Sequence, residues 1–344
     1  MGAMTPGLWA ALIGLSGGLM LGLAARLGDF CTLGALETAL WGGDQRRLRL
    51  WGVVLAVAIG GTWTGAALGW IDPLATFYHE IAWNPMASIL GGLVFGYGMA
   101  LAGNCGFGAL VRFGGGDLRS LVVLVVMAVF GLATLAGPLA PLRVALFPQV
   151  AAAQPQGLPV LAGPAILPVA LLIAAALLAW ALAHAPLRRD RAQLAGGALA
   201  GLSVVWCFAG LTWLADATLG AVQVEGPSFT VSTGRTLIWL MTSTAGGLSF
   251  SVGSVLGVLA GALAGSLWRG RFRWEACEDP RELGRQVGGA ALMGVGGTVA
   301  LGCSIGQGLT AFATLAWSAP LTLAAIAAGA AWGLRGLIGA AQTD

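Results

Sequence analysis

The chain has 344 residues and a formal net charge of +3; 58% of its residues are hydrophobic, 9% are charged and 56 are glycine. Soluble domains carry about 25% charged residues, so charge is too sparse here to cover a soluble surface, and the apolar content excludes disorder. So small a net charge over this length makes no footprint for nucleic acid either. What remains is an all-α polytopic membrane protein with a glycine-rich interior.

A helix that crosses a membrane needs about 20 predominantly apolar residues. In chain order, the charge-poor stretches predict nine spans: 7–27, 50–71, 86–103, 119–141, 164–184, 192–214, 246–268, 286–302 and 318–338. Short half-helices or re-entrant pieces are expected at 30–42, 106–116, 236–245 and 306–317. The first span lacks the basic flank of a signal peptide and is read as retained. Trp9, Trp51, Trp70, Trp83, Trp268 and Trp274 fall near span ends, as an interfacial belt does. Residues 1–344 are read as one transmembrane domain.

Arginine placement gives an orientation, because basic loops stay in the cytoplasm. Arg46, Arg47 and Arg49 form one cluster, Arg188, Arg189 and Arg191 a second, and Arg269, Arg271, Arg273, Arg281 and Arg285 a third. The loops at 72–85, 142–163 and 215–234 hold Asp72, Glu80, Asp216 and Glu225 but only one arginine, Arg143. The N-terminus is therefore expected outside and the C-terminus inside. Gly114-Gly115-Gly116-Asp117 lacks the Lys-Ser/Thr of a phosphate loop, and no nucleotide-binding motif is visible.

Self-similarity carries the most information. Residues 17–36 (GGLMLGLAARLGDFCTLGAL) and 91–110 (GGLVFGYGMALAGNCGFGAL) are identical at nine of twenty positions. A third copy at 289–308 keeps Gly289, Gly294, Gly296, Cys303 and Gly306; a degenerate fourth begins at Gly196-Gly197 and puts Gly210 where the others have cysteine. The repeat units are about 7–71, 86–141, 192–268 and 286–338. Two begin outside and two inside, an inverted repeat of the kind that places a transport site at glycine-broken helices near the midplane.

Cys31, Cys105 and Cys303 share one place in this repeat. Cys207, mid-helix after Trp206, reads as a small buried apolar residue, and Cys277 as an incidental loop thiol. For the three repeat cysteines, close helix packing asks only for small residues, which alanine or serine would supply equally. A disulfide would leave one of the three unpaired. Zinc wants four ligands, and His79 and His184 lie at span ends. Three thiols in a dry site also suit Cu(I). A further use is contact with a soft, sulfur-bearing anion: a thiol donates and accepts weakly, and the glycines that follow (Gly34, Gly106, Gly108, Gly306) leave backbone N–H groups open at the positive end of a half-helix.

Three blocks carry a family resemblance: Phe30-Cys31-Thr32-Leu33-Gly34-Ala35; Gly103-Asn104-Cys105-Gly106-Phe107-Gly108, followed by Leu118-Arg119-Ser120-Leu121; and Leu301-Gly302-Cys303-Ser304-Ile305-Gly306. With these the chain resembles the YeeE/YedE family of bacterial sulfur-transport membrane proteins over most of its length. The resemblance implies thiosulfate uptake across the inner (plasma) membrane into the cytoplasm, no cofactor, and an hourglass shape with four loops meeting at the centre. It implies that Cys31, Cys105 and Cys303 relay the ion by S–H···S contacts, and that a TusA-like cytoplasmic sulfurtransferase is a partner. Two departures stand out. Asp29 puts a carboxylate beside the first break, and Asn104-Cys105-Gly106 offers fewer hydroxyls than the family's usual Gly-Cys-Thr-Ser.

Arg26, Asp29, Glu37, Arg112, Asp117, Arg119 and Arg235 flank breaks or span ends. They read as local pairs, Arg26 with Asp29 and Arg112 or Arg119 with Asp117, or as funnels at the mouths of an anion path. Two other readings stay open on the residues alone: a channel for another small sulfur or selenium species, and a membrane thiol-redox or persulfide-transfer enzyme. The absence of a C-x-x-C motif counts against the enzyme.

Overall fold

The structure, a computed structural model, describes residues 5–244, 247–276 and 279–341. It is almost wholly helical, with isolated bridges and no strand among the described residues. The long and short helices are α1 (Pro6–Gly28), α2 (Thr32–Leu40), α3 (Arg46–Ala67), α4 (Pro85–Ala102), α5 (Gly106–Gly114), α6 (Leu118–Leu135), α7 (Ile166–Leu182), α8 (Arg191–Ala217), α9 (Thr230–Thr242), α10 (Phe250–Trp268), α11 (Pro280–Val299) and α12 (Ser318–Ala341). Four times a long helix runs to a break, a short helical piece follows, and a second long helix returns.

Local chemistry sets the boundaries. The Asn84, Asp117, Asp190 and Asp279 side chains accept from backbone N–H groups at the starts of α4, α6, α8 and α11. These are the orphan donors an N-cap satisfies. At the breaks the chain turns left-handed: Asp29 after α1, Gly103 after α4, Leu219 and Gly220 after α8, Leu301 after α11. Aspartate tolerates that region; a leucine held there costs about 1–2 kcal/mol.

Eight stretches among the described residues are long and apolar enough to cross a membrane: Pro6–Leu40, Arg46–Ala67, Pro85–Gly114, Leu118–Leu135, Leu158–Leu182, Arg191–Ala217, Phe250–Trp268 and Ser318–Gly339. The expected span at 286–302 is the 20-residue α11, which is not among the eight. Its opening turns carry Arg281, Glu282, Arg285 and Gln286. Two half-helices also differ from expectation. The piece expected at 236–245 is α9, which starts at Thr230, and the piece at 306–317 opens as a π-helical turn, Gly306–Ala311.

The glycines explain how these helices pack. α1 lies against α10 and α8, while α4 lies between α11 and α12. Gly14, Gly18 and Gly22 of α1 face the α10 backbone at Phe250, Ser254 and Val258. In return, Gly253, Gly257 and Gly261 of α10 face Ala11, Leu15 and Leu19 of α1. Both rows repeat every four residues, so two glycine ridges interlock. Gly91 and Gly98 of α4 meet Gly296 and Gly289 of α11 in the same way. Lipid offers no hydrophobic drive for helix association, and close van der Waals approach through small residues replaces it. A Cβ on Gly257 would meet the Leu15 carbonyl, with its carbon at 2.9 Å, whereas one on Gly288 would meet nothing within 4 Å. Gly257→Leu is therefore expected to destabilise the detergent-solubilised protein by about 1–3 kcal/mol or more. Gly288→Ala should leave the thermal midpoint unchanged or raise it, Ala being favoured over Gly within a helix by roughly 0.5–1 kcal/mol. Equal midpoints for the two variants would contradict the interlocking-ridge account.

Candidate functional site

The Cys-x-x-Gly spacing has a local cause. Cys105 is the N-cap of α5, and its sulfur accepts from the Gly108 N–H at 3.3 Å. Cys303 repeats the arrangement, accepting from the Gly306 N–H at 3.4 Å. Cys31 is the N-cap of α2 but makes no such bond. At Cys105 and Cys303 the backbone N–H thus binds the sulfur lone pair, which leaves the S–H proton to donate elsewhere. Cys303 also accepts from the Phe229 N–H at 3.3 Å, with Ser228 Oγ 4.0 Å away.

The three thiols gather at one place. Cys105 and Cys303 are fully buried and Cys31 is half-buried. Cys105 has Ser304 within hydrogen-bonding reach and Cys31 and Cys303 among its ionisable neighbours. The Thr32 hydroxyl donates to Ser304 Oγ at 3.3 Å, joining the first block to the third. Phenylalanines from three breaks pack around them: Phe30 to Phe107 at 6.2 Å and Phe107 to Phe229 at 5.4 Å between ring centroids. Buried acceptors without a partner, Asn104 Oδ1 and Gln307 Oε1, lie in the second block and just after the third. Tyr78 donates to the Gly306 carbonyl at 2.9 Å. Burial, with Cys303 and Glu225 nearby, pushes its phenol well above the ordinary value.

Two polar cavities reach this centre and share no residue. One, of about 280 Å³, is lined by Ser228, Thr230, Ser232, Arg235, Glu225 and Thr298, among others; it meets the centre at Ser228, beside Cys303. The other, of about 240 Å³, is lined by Cys31 itself with Gly34, Arg26, Arg47, Arg112 and Arg271. They stand at opposite ends of α10: Ser251, in its first turn, lines the first, and Arg271, just past its last turn, lines the second. The helix between these two lining residues has 19 residues and is about 28 Å long. Arg112 and Arg271 also line an adjoining basic cavity of about 160 Å³ with Arg119 and Arg273.

Several expectations are corrected here. Gly210 is not at a break: it lies inside the unbroken 27-residue α8, where its Cα faces Ile13. The fourth break comes later, and Ser228-Phe229 stand at the head of α9 where the other copies have cysteine. Asp29 pairs with Arg271 at 3.8 Å, while Arg26 donates to the Val111 carbonyl at 2.7 Å. Arg119 does pair with Asp117, at 3.3 Å, and also reaches Glu275 at 3.4 Å. Gly106 sits under Met127, and Gly34, Gly108 and Gly306 sit against Arg47, Asn104 and Ser228. Cys207 is buried against Gly17; Cys277 lies outside the described residues. The four described cysteines are free thiols, and no three His, Cys, Asp or Glu side chains among the described residues converge to hold a metal ion.

The Glu225–Arg235 pair escaped the sequence reading. The two charges are 3.9 Å apart, and Arg235 donates to Ser251 Oγ at 3.3 Å. Burial holds the Glu225 carboxyl above the usual carboxylate range, against the pull of Arg235. His79, whose ring contacts the Thr314 carbonyl at 3.2 Å, is shifted down by burial.

The sequence matches the sulphur-transport family over residues 27–332, a stretch that holds all three thiols and, apart from Ala25 and Arg26, the residues lining both polar cavities. It is similar to the thiosulfate transporter TsuA of Escherichia coli (strain K12), with 24% identity over 325 residues, 89% of this chain and 88% of that protein. These are transporters, so the thiol-redox enzyme reading is set aside. The resemblance carried by the three cysteine blocks is borne out, and the chain, a multi-pass membrane protein, belongs to the sulphur-transport family.

Proposed function

We propose that this protein takes thiosulfate into the cytoplasm and passes it along Cys303, Cys105 and Cys31. One observation carries the reading: the fully buried Cys105 has as ionisable neighbours a thiol beside one polar cavity and a thiol lining the other. The relative's name supports the choice of ion, and the chemistry agrees with it. Thiosulfate has a soft terminal sulfur and a hard SO₃ end. A thiol presents a polarizable sulfur and a weak donor, a match for the soft end. With the sulfurs of Cys105 and Cys303 engaged by backbone N–H groups, their S–H bonds are polarised toward an acceptor, the cooperative effect of a hydrogen-bond chain.

The heads of α2, α5 and α9 bear on the same centre through Cys31, Cys105 and Phe229. Helix N-termini carry partial positive charge and open N–H groups, so the ion finds compensation without a buried cation. That favours release, since no ion pair has to break at each step. The cavity at Ser228 borders the acid-bearing loops and is read as the outer vestibule. The cavity at Cys31 lies among the arginine clusters and is read as the inner one. In the plasma membrane this puts the N-terminus outside, the C-terminus inside, and a basic mouth where a TusA-like sulfurtransferase would receive the ion. Bilayer lipids then contact the exposed apolar helix faces.

Proteoliposomes holding the protein should accumulate thiosulfate and not sulfate, which lacks the soft sulfur. Cys105→Ala should lower thiosulfate uptake about tenfold to a hundredfold, the worth of a hydrogen bond to a charged group; the lost helix cap costs about 0.5–2 kcal/mol, which the variant's thermal midpoint reads separately. Wild-type uptake by this variant would end the relay reading. Equal uptake of sulfate, or uptake of another sulfur or selenium species alone, would end the assignment of the ion. Reporter fusions should place the C-terminus in the cytoplasm; a periplasmic C-terminus would reverse the direction proposed.

A further inference from the structure

Among the described residues, the outer vestibule is lined by one cation and one carboxylate, Arg235 and Glu225. A carboxylate on the route of a dianion needs a reason. The pair is loosely made: at 3.9 Å the two charges attract but form no hydrogen bond. Arg235 is about half exposed and is steadied by Ser251, so its guanidinium can take another acceptor. In the wall of the same cavity the Thr230 hydroxyl is buried and has no hydrogen-bond partner; Thr230 is only 1% exposed. A buried donor without an acceptor is costly and is explained when its acceptor is a ligand.

We propose that Arg235 and the Thr230 hydroxyl form an oxyanion site for the SO₃ end of the incoming ion, that Glu225 occupies Arg235 until the ion arrives, and that one proton goes onto Glu225 as the ion binds. The exchange balances. The Glu225–Arg235 ion pair breaks, an Arg235–sulfonate pair forms, and the freed carboxylate takes a proton from the outer solution. Burial already favours the protonated carboxyl at this position, and losing Arg235 to the ion raises its proton affinity further. The groups around Glu225 do not supply a rival counter-charge. Tyr78 and Cys207, both buried, sense it and are neutral acids. Glu80, which accepts from the adjacent Gln223 at 2.9 Å, only adds negative charge. The vestibule therefore selects on the hard end of the ion and the thiols on the soft end. Sulfate would reach Arg235 and go no further.

This proposal rests on the uptake reading for its choice of route and ion. It is tested by isothermal titration of the full-length protein with thiosulfate from pH 5.5 to 8.5, in buffers of different ionisation enthalpy. Wild type should take up close to one proton per ion at the alkaline end. Its affinity should fall toward tenfold per pH unit as pH rises above the value at which Glu225 ionises, the limit for one linked proton. Glu225→Gln should bind with a flat pH profile and no proton uptake. Arg235→Gln should lose at least tenfold in affinity. Cys105→Ala, which interrupts the relay only, should keep the wild-type proton count. A Glu225→Gln variant that retains the slope, or a wild type without proton uptake, overturns the site. If wild type binds no thiosulfate at any pH, the uptake reading fails instead. Sulfate and ethanesulfonate then test the oxyanion site by the same proton count, and a null result with both overturns it as well.

Discussion

On the proposed route an anion passes a centre where, among the described residues, no cationic side chain stands, and that constraint orders the rest of the structure. Moving an ion from water into a medium of low dielectric costs of order 20 kcal/mol in the idealised case. A buried arginine would offset the penalty but would also trap the ion. Among the described residues, Arg26, Arg47, Arg112 and Arg271 line one cavity and Arg235 is the one arginine lining the other. At the centre the chain relies on helix heads, thiols and a phenylalanine cluster. Each contributes little, and together they suit an ion that must leave as readily as it arrives.

Glycine makes such a centre possible. A helix can stop near the middle of a membrane only if protein satisfies the freed backbone groups. Here the breaks are enclosed because the long helices come close enough to wall them off: α1 and α10 interlock glycine for glycine, and α4 packs into both α11 and α12. The broken ends then find partners: the Gly108 and Gly306 N–H groups on cysteine sulfur, the Gly306 carbonyl on Tyr78, and the Ala300 carbonyl on Gln307 at 2.9 Å. Cysteine thus serves twice, as a helix cap and as a donor with a free S–H.

Much of this was legible in the chain and some was not. The repeat of glycines and Cys-x-x-Gly marked three breaks, because capping and close approach are local and fix residue types at fixed spacing. The repeat predicts the fourth break at Gly210, and the structure puts it later. α8 continues to Ala217, and the chain between it and α9 shifts the register of that copy, so the equivalent place falls at Ser228-Phe229, without a cysteine to reveal it. The sequence predicts a span from residue 286, and α11 begins earlier, at Pro280, taking Arg281, Glu282 and Arg285 into its first turns. The vestibule was invisible for another reason. Glu225 and Arg235 meet across a loop and a helix turn, and their neighbours Ser251 and Thr298 come from two other helices. No spacing in the sequence encodes such a meeting.

The account turns on which end of the ion faces the thiols. Selenosulfate, in which selenium replaces the terminal sulfur of thiosulfate, marks that end by its anomalous scattering in a crystal. The account predicts a selenium peak in contact with the Cys105 sulfur, with the SO₃ group turned toward Ser228 on the outer side. A peak away from Cys105, or one with oxygen atoms against the thiols and selenium in the vestibule, would contradict it.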